Sequence, residues 1–214
     1  MSFHYSVAAG ALDEVASALR SGSDPNEVSA RGSPPLAMAV CQRNAAMVEL
    51  LLRHGARVDL PDRNDNVPLC YAAAFGWLEG VRLLLTAGAS VDGQCDCGSP
   101  LSVAVVDGRS EVLSLLISAG ADPNLANAGG FTPLMLAASN ENIAAIPVLV
   151  RAGAVVDARD PDGLTAYLHA ALQGDVAAGR ELLRLGADPQ VLTDKGESAA
   201  DIAAARGHEW RITP

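Results

Sequence analysis

A period of about 33 residues governs this chain. The glycines that close its apolar runs are Gly22, Gly55, Gly88, Gly120, Gly153 and Gly186, in steps of 33, 33, 32, 33 and 33. The residues that open the other short apolar segment are Pro35, Pro68, Pro100, Pro133, Ala166 and Ala199, in steps of 33, 32, 33, 33 and 33. Two independent markers share one period and one deletion. The deletion lies between Gly88 and Pro100, and the turn around Val91 to Cys95 is the expected place for it. Repetition at such a period marks a fold in which no unit buries its apolar face alone, so each must stack on its neighbours. The 214-residue length, which suggests one or two domains for a compact core, is therefore a weak guide here.

The chemistry inside each period repeats as well. One unit reads Gly130-Phe131-Thr132-Pro133-Leu134-Met135-Leu136-Ala137-Ala138. Proline is free of cost at the first helical position, where its missing N–H has no partner anyway. A threonine just before it can cap the exposed N–H groups. The alanine pairs that follow (Ala72-Ala73, Ala137-Ala138, Ala170-Ala171) leave room for close helix approach. A second helix then carries Leu50-Leu51-Leu52, Leu83-Leu84-Leu85 or Leu115-Leu116-Ile117, closed by a glycine that can adopt the left-handed conformation of a helix C-terminus. Gly-Ala-Asp-Pro-Asn at 120–124, echoed at 22–26 and 186–190, supplies turn residues leading to a short extended hairpin.

These motifs together resemble the ankyrin repeat family, and the resemblance covers essentially the whole chain. It implies an all-α solenoid of helix-turn-helix units with β-hairpin loops, about six helix pairs and a truncated C-terminal cap. A single domain over 1–214 is expected, with units at about 2–30, 31–62, 63–95, 96–127, 128–160, 161–193 and 194–214. In the last unit, Trp210 is placed to fold back over the final apolar face. Departures from the family pattern carry expectations of their own. Pro34 and Val67 stand where threonine would cap, so two caps are lost. Pro147 falls inside a second helix, where it costs about 3 kcal/mol unless it lies in the first turn. That helix should start late or kink.

Composition narrows the function. The formal net charge is −10, from 25 acids and 15 bases, which argues against nucleic acid and anionic membranes. Mean hydropathy is +0.20, yet the longest apolar run, Ile143 to Val150, is interrupted by Pro147 and falls well short of the roughly 18 residues of a membrane span. No basic segment precedes an apolar stretch at the N-terminus, so no signal peptide is read there. Four irregularly spaced cysteines do not make a disulfide framework. A cytoplasmic monomer is expected.

The resemblance implies a cupped surface, with hairpin tips as fingers and first helices as a palm, on which protein partners lie. The partner-facing residues it assigns are Arg31, Arg63, Asn64, Asn66, Asp96, Phe131, Asp162 and Leu164 on the fingers. On the palm they are Phe75, Val106, Asp107, Ser139, Asn140, Leu172 and Gln173. Trp77 extends the set. Phe75, Val106, Phe131, Leu164 and Leu172 are apolar where packing does not demand it, which suggests an interface. The same residues could instead pack on their neighbours across the groove. Acids dominate the tips (Asp62, Asp65, Asp96, Asp160, Asp162, Asp194, Glu197), which suits a basic partner. Aspartate is equally at home there as a turn residue.

No enzyme is expected. Cys95-x-Cys97 offers two of the four ligands a structural zinc needs, with no histidine near it in sequence. His169 sits where a core leucine is usual and reads as a buried structural histidine. There is no Gly-x-Ser-x-Gly elbow and no glycine-rich loop before a lysine. No metal or cofactor is expected. The expected function is a protein–protein interaction scaffold, with an inhibitor or immunity-type protein neutralising a basic enzyme or toxin as the alternative.

Overall fold

The computed structural model describes residues 2–95 and 98–212. The chain divides into two compact units, Met1–Pro100 and Leu101–Pro214. The first holds α1 (Phe3–Ala8), α2 (Leu12–Arg20), α3 (Pro35–Cys41), α4 (Ala45–Arg53), α5 (Pro68–Ala74) and α6 (Leu78–Thr86). Here α1, α3 and α5 pack in one row, and α2, α4 and α6 in another. Helix α7 (Pro100–Val106) starts on the last residue of this unit. The second unit continues with α8 (Ser110–Ser118), α9 (Pro133–Ser139), α10 (Ala145–Arg151), α11 (Ala166–Gln173), α12 (Val176–Arg184) and α13 (Ala199–Ala205). Its rows are α9, α11 and α13 against α8, α10 and α12. Each unit is a stack of helix pairs.

The 33-residue register is a register of burial. Leu51, Leu84, Leu116, Leu149 and Leu182 occupy equivalent positions of successive second helices, and all are fully buried. Each such side chain contributes about 2 kcal/mol by leaving water. The alanine pairs at 72–73, 137–138 and 170–171 are also fully buried, as close helix approach requires.

Caps follow the side chains available. Thr132, Thr165 and Ser198 accept from the backbone N–H of Met135, Leu168 and Asp201, whereas Pro34 and Val67 give no side-chain cap. Helix α10 begins at Ala145, two residues later than the register of α8 would place it. Pro147 is thereby its third residue, inside the first turn where no N–H is needed.

The hairpin loops are reduced to hydrogen-bonded turns. No strand forms among the described residues, and Cys95 with Gly98 makes an isolated bridge. Across the ends of the fingers run the backbone bonds Ser29 to Ser33, Asp62 to Asn66, Asn127 to Phe131, Asp160 to Leu164 and Thr193 to Glu197. In each of these the N–H belongs to the first residue and the carbonyl to the second. In the remaining finger the bond runs from Cys95 to Gly98, three residues rather than four. The deletion is therefore inside this finger, after the Val91 to Cys95 turn in which the sequence placed it. The turn itself keeps register, because the Gly93 N–H to Ser90 carbonyl bond matches the Leu60 to Arg57 bond a full 33 residues earlier.

At the C-terminal end, Trp210 donates to the Tyr167 hydroxyl at 3.2 Å and meets its ring edge-on at 5.6 Å. Gly179 stands in the row of Val48, Val81, Leu113 and Ile146, and a Cβ there would lie 2.6 Å from the Trp210 ring. The indole thus fills the space that a side chain fills in earlier units.

Candidate partner-binding groove

In four of the fingers, those based on Asp62, Asn127, Asp160 and Thr193, the base residue decides the finger's shape. Its side-chain oxygen accepts the N–H groups two and four residues onward. Asp62 Oδ1 takes those of Asn64 and Asn66 at 2.9 and 3.1 Å, and Asn127 Oδ1 takes those of Gly129 and Phe131 at 3.0 Å each. Asp160 Oδ1 takes those of Asp162 and Leu164 at 3.0 and 2.8 Å, and Thr193 Oγ1 takes those of Lys195 and Glu197 at 3.2 and 3.1 Å. Aspartate, asparagine and threonine serve alike because each offers a short-tethered acceptor. The tip acids are accordingly unequal. Asp62 and Asp160 are occupied as backbone acceptors, and Asp194 pairs with Arg159 at 3.1 Å. Asp65, Asp162 and Glu197 are exposed at the tips.

In the second unit these fingers and the row of first helices enclose a groove of about 590 Å³. Phe131, Leu164 and Leu172 supply its apolar walls, with Ile202 and Ala205 beyond them. Phe131, Leu164 and Leu172 are half-buried. Asp162, Lys195, Glu197 and Arg206 carry mixed charge around it. On its floor, His169 is buried, its Nε2 2.8 Å from Asp160 Oδ2 and its ring 5.3 Å from that of Phe131. Ser139 ends α9 half-buried, and Asn140 caps that helix with its amide Nδ2 donating to the Leu136 carbonyl at 2.9 Å. Gln173 is exposed at the end of α11. Val106 is 37% exposed, and Asp107 follows it, exposed.

The first unit places its expected residues differently. Phe75 is 36% exposed, stacked on Tyr71 with ring centroids 6.5 Å apart. The Arg43 guanidinium lies 5.7 Å from the Phe75 ring centroid and donates to the Phe75 carbonyl at 2.6 Å. Tyr71 donates its hydroxyl to Asp62 Oδ2, nine residues earlier, as His169 pairs with Asp160 in the second unit. Burial, and then the hydrogen bond to the Asp62 carboxylate, push the Tyr71 phenol well above its usual range. A cavity of about 280 Å³ adjoins this pair, with Cys41 on its wall. Burial and the Asp62 carboxylate push the Cys41 thiol up, so it stands there as a thiol rather than a thiolate. Arg31 lines a separate cavity of about 560 Å³ with Ser2, Tyr5 and Met38. Arg63 and Asn64 are exposed at a finger tip, and Asn66 is half-buried at its base. Asp96 and Cys97 lie outside the described residues.

One expectation is corrected. Trp77 does not extend the exposed face: it is 8% exposed and forms the N-cap of α6. Its ring lies over Gly80, where an added Cβ would come within 2.0 Å of it. The indole is consumed by packing inside its own helix start.

His169, Ile202, Ala205 and Arg206 line the groove although the sequence did not single them out for it. For Ala205 and Arg206 the signal was present, since they fall 33 residues after Leu172 and Gln173. Arg43 gave no such signal, because its contact with Phe75 joins two neighbouring repeats.

The family profile for ankyrin repeats in groups of three matches residues 3–95 and 88–160, so this chain belongs to the ankyrin repeat family. The fold agrees with the crystal structure of the ankyrin repeat domain of Bcl-3, a member of the IkappaB protein family. The TM-score is 0.87 at 25% identity, over 96% of this chain and 95% of that one. The human ASB11 ankyrin repeat domain gives a TM-score of 0.79 at 27% identity, over 95% and 91%. Among curated proteins, ZDHHC13 of Danio rerio, named for a palmitoyltransferase, is 33% identical over 63% of this chain. The chain spans about a fifth of that relative's length (21%). Ankyrin repeat domains are in general protein–protein interaction modules, and some relatives carry them beside catalytic domains. Among the described residues no helix is long and apolar enough to cross a membrane.

Proposed function

We propose that this chain is a non-catalytic recognition scaffold whose second unit binds a protein partner in the groove between Phe131, Leu164 and Leu172. One observation carries the reading. Three large apolar side chains from two fingers and a first helix stand half-exposed around one cavity of about 590 Å³. Aromatic and aliphatic anchors in such a setting dominate interface energetics. The partner is a basic protein, met in the cytoplasm by a monomer of this chain. The net charge of −10 supports that, together with the exposed carboxylates of Asp65, Asp162 and Glu197.

Affinity capture with the wild type and with the double variant Phe131→Ala/Leu164→Ala tests the site. The partner is retained by the first and lost by the second. Its binding weakens as salt rises, since exposed charges are screened; a flat salt response removes the basic-partner reading and leaves the groove. The same acidity also favours an inhibitor of a basic enzyme or toxin. In that case the captured partner has an enzymatic activity that stoichiometric addition of this chain abolishes.

A further inference from the structure

The first unit carries a cavity whose charge runs against that of the chain. Three segments wall its volume of about 560 Å³: His4, Tyr5 and Ala8 of α1, Ser29 and Arg31 of the first finger, and Met38 of α3. These walls are tied to one another. His4 Nε2 donates to the Glu27 carbonyl just before the finger, and Gln42, the C-cap of α3, donates from Nε2 to the Ala8 carbonyl at 3.0 Å. Ser29 Oγ accepts the Ser33 N–H at 3.1 Å and holds the finger. The chain has 25 acids and 15 bases, yet no carboxylate lines this cavity. By contrast, Asp62 lines the smaller cavity beside Tyr71, and Asp160, Asp162, Asp194 and Glu197 line the second unit's groove. Arg31 is exposed, and among the described residues no carboxylate pairs with it. The acids on flanking segments, Asp24 and Glu27 before the finger and Asp65 on the next one, are exposed and form no part of the wall. Tyr5, 58% exposed, and Met38 supply apolar surface beside Arg31.

We infer that this cavity docks an acidic segment of a partner protein, one that seats an apolar side chain against Tyr5 and Met38 and offers a neighbouring aspartate or glutamate to Arg31. It is a second interaction surface, independent of the second unit's groove. Charge complementarity selects the occupant. A guanidinium presents a planar fork that matches a carboxylate, and with no carboxylate on the wall none competes for it there. A basic segment would bring like charge to Arg31 and find no acid on the wall. Nucleic acid and anionic membranes need a broad basic field, and a chain of net charge −10 repels both. A short segment with one or two carboxylates needs only the local charge. On the next finger Arg63 and Asp65 are both exposed and offset one another, so selectivity falls to Arg31.

Two blocked peptides test this on the full chain, one alternating glutamate with leucine and one alternating glutamine with leucine. They differ in charge alone, and binding is followed by NMR at the Arg31 side chain, the Tyr5 ring and the Met38 methyl group. The glutamate peptide is expected to bind about fivefold more tightly, which is what one exposed ion pair supplies, and to move all three resonances. Its advantage should fade as salt rises. In Arg31→Gln the two peptides should bind alike, at the weaker level of the glutamine peptide, while Arg31→Lys should keep part of the preference. Phe131→Ala/Leu164→Ala, in the other unit, should keep all of it. Equal binding of the two peptides to the wild type overturns the inference, as does a preference that survives Arg31→Gln, resonance shifts confined to other residues, or no binding by either peptide. Loss of the preference in Phe131→Ala/Leu164→Ala overturns it as well, since the acidic segment would then sit in the groove.

Discussion

Asp160 Oδ2 and His169 Nε2 lie 2.8 Å apart beneath the Phe131 ring, and the same carboxylate holds the finger that carries Leu164. Finger shape and groove floor are therefore one assembly. Asp160→Ala removes the acceptor for two backbone N–H groups and strands a buried imidazole, which should cost about 3 kcal/mol in urea unfolding of the full chain. Asp160→Asn should cost about 1 kcal/mol. Asn127 already performs the backbone part of this role with an amide, and His169 can accept from the new amide by changing tautomer.

The equivalent pair in the first unit, Asp62 and Tyr71, has a pH signature. A phenol that donates to a carboxylate is stabilised in its neutral form, and its folded pKa lies above the unfolded value. The stability it contributes is fully present below about pH 10, the unfolded value, and is lost as pH rises through the higher folded one. Ultraviolet titration of the native protein should show Tyr71 ionising late. The late component should shrink by one tyrosine in Tyr71→Phe.

Gly80 lies inside α6, where alanine would ordinarily gain about 1 kcal/mol. Here Gly80→Ala should instead destabilise by about 1–2 kcal/mol, because a Cβ 2.0 Å from the Trp77 ring forces the indole out of its seat. Thermal unfolding checks the sign. A more stable variant would mean that Trp77 is not fixed there.

Glu141 takes a φ of +56° at the turn between α9 and α10, where glycine stands in most other units. A residue with a Cβ pays about 1 kcal/mol for that conformation. Glu141→Gly should therefore raise stability by up to about 1 kcal/mol, less the extra entropy glycine has when unfolded. Arg43 occupies the equivalent position at φ +53°. Arg43→Gly should gain less, because it also removes the guanidinium from the Phe75 ring.

What could be read in the sequence was whatever repeats. Leucines and alanines recur at one interval, so the row of buried leucines from Leu51 to Leu182 and the helix starts at Pro35, Pro68, Pro100 and Pro133 were visible without coordinates. Pro147 announced the late start of α10 for the same reason, since its ring is tolerated only in a first turn. Features set by a single contact were not visible. Trp77 looked exposed because the turn before α6 is exposed elsewhere, and only Gly80 beneath it makes the seat. His169 was legible as buried, but its partner was not, although the Asp62 and Tyr71 offset of nine residues also separates Asp160 from His169. The shortened finger was misplaced by a few residues because the two markers fix only the interval between them.

The claim on which the functional account depends is that Phe131 anchors a protein partner in the second unit's groove. The direct measurement is the partner's dissociation constant for the wild type and for Phe131→Ala, with circular dichroism confirming that the variant stays folded. A central aromatic anchor is worth about 2 kcal/mol or more, so affinity should fall roughly 30-fold. Equal affinities for the two folded proteins would contradict the account.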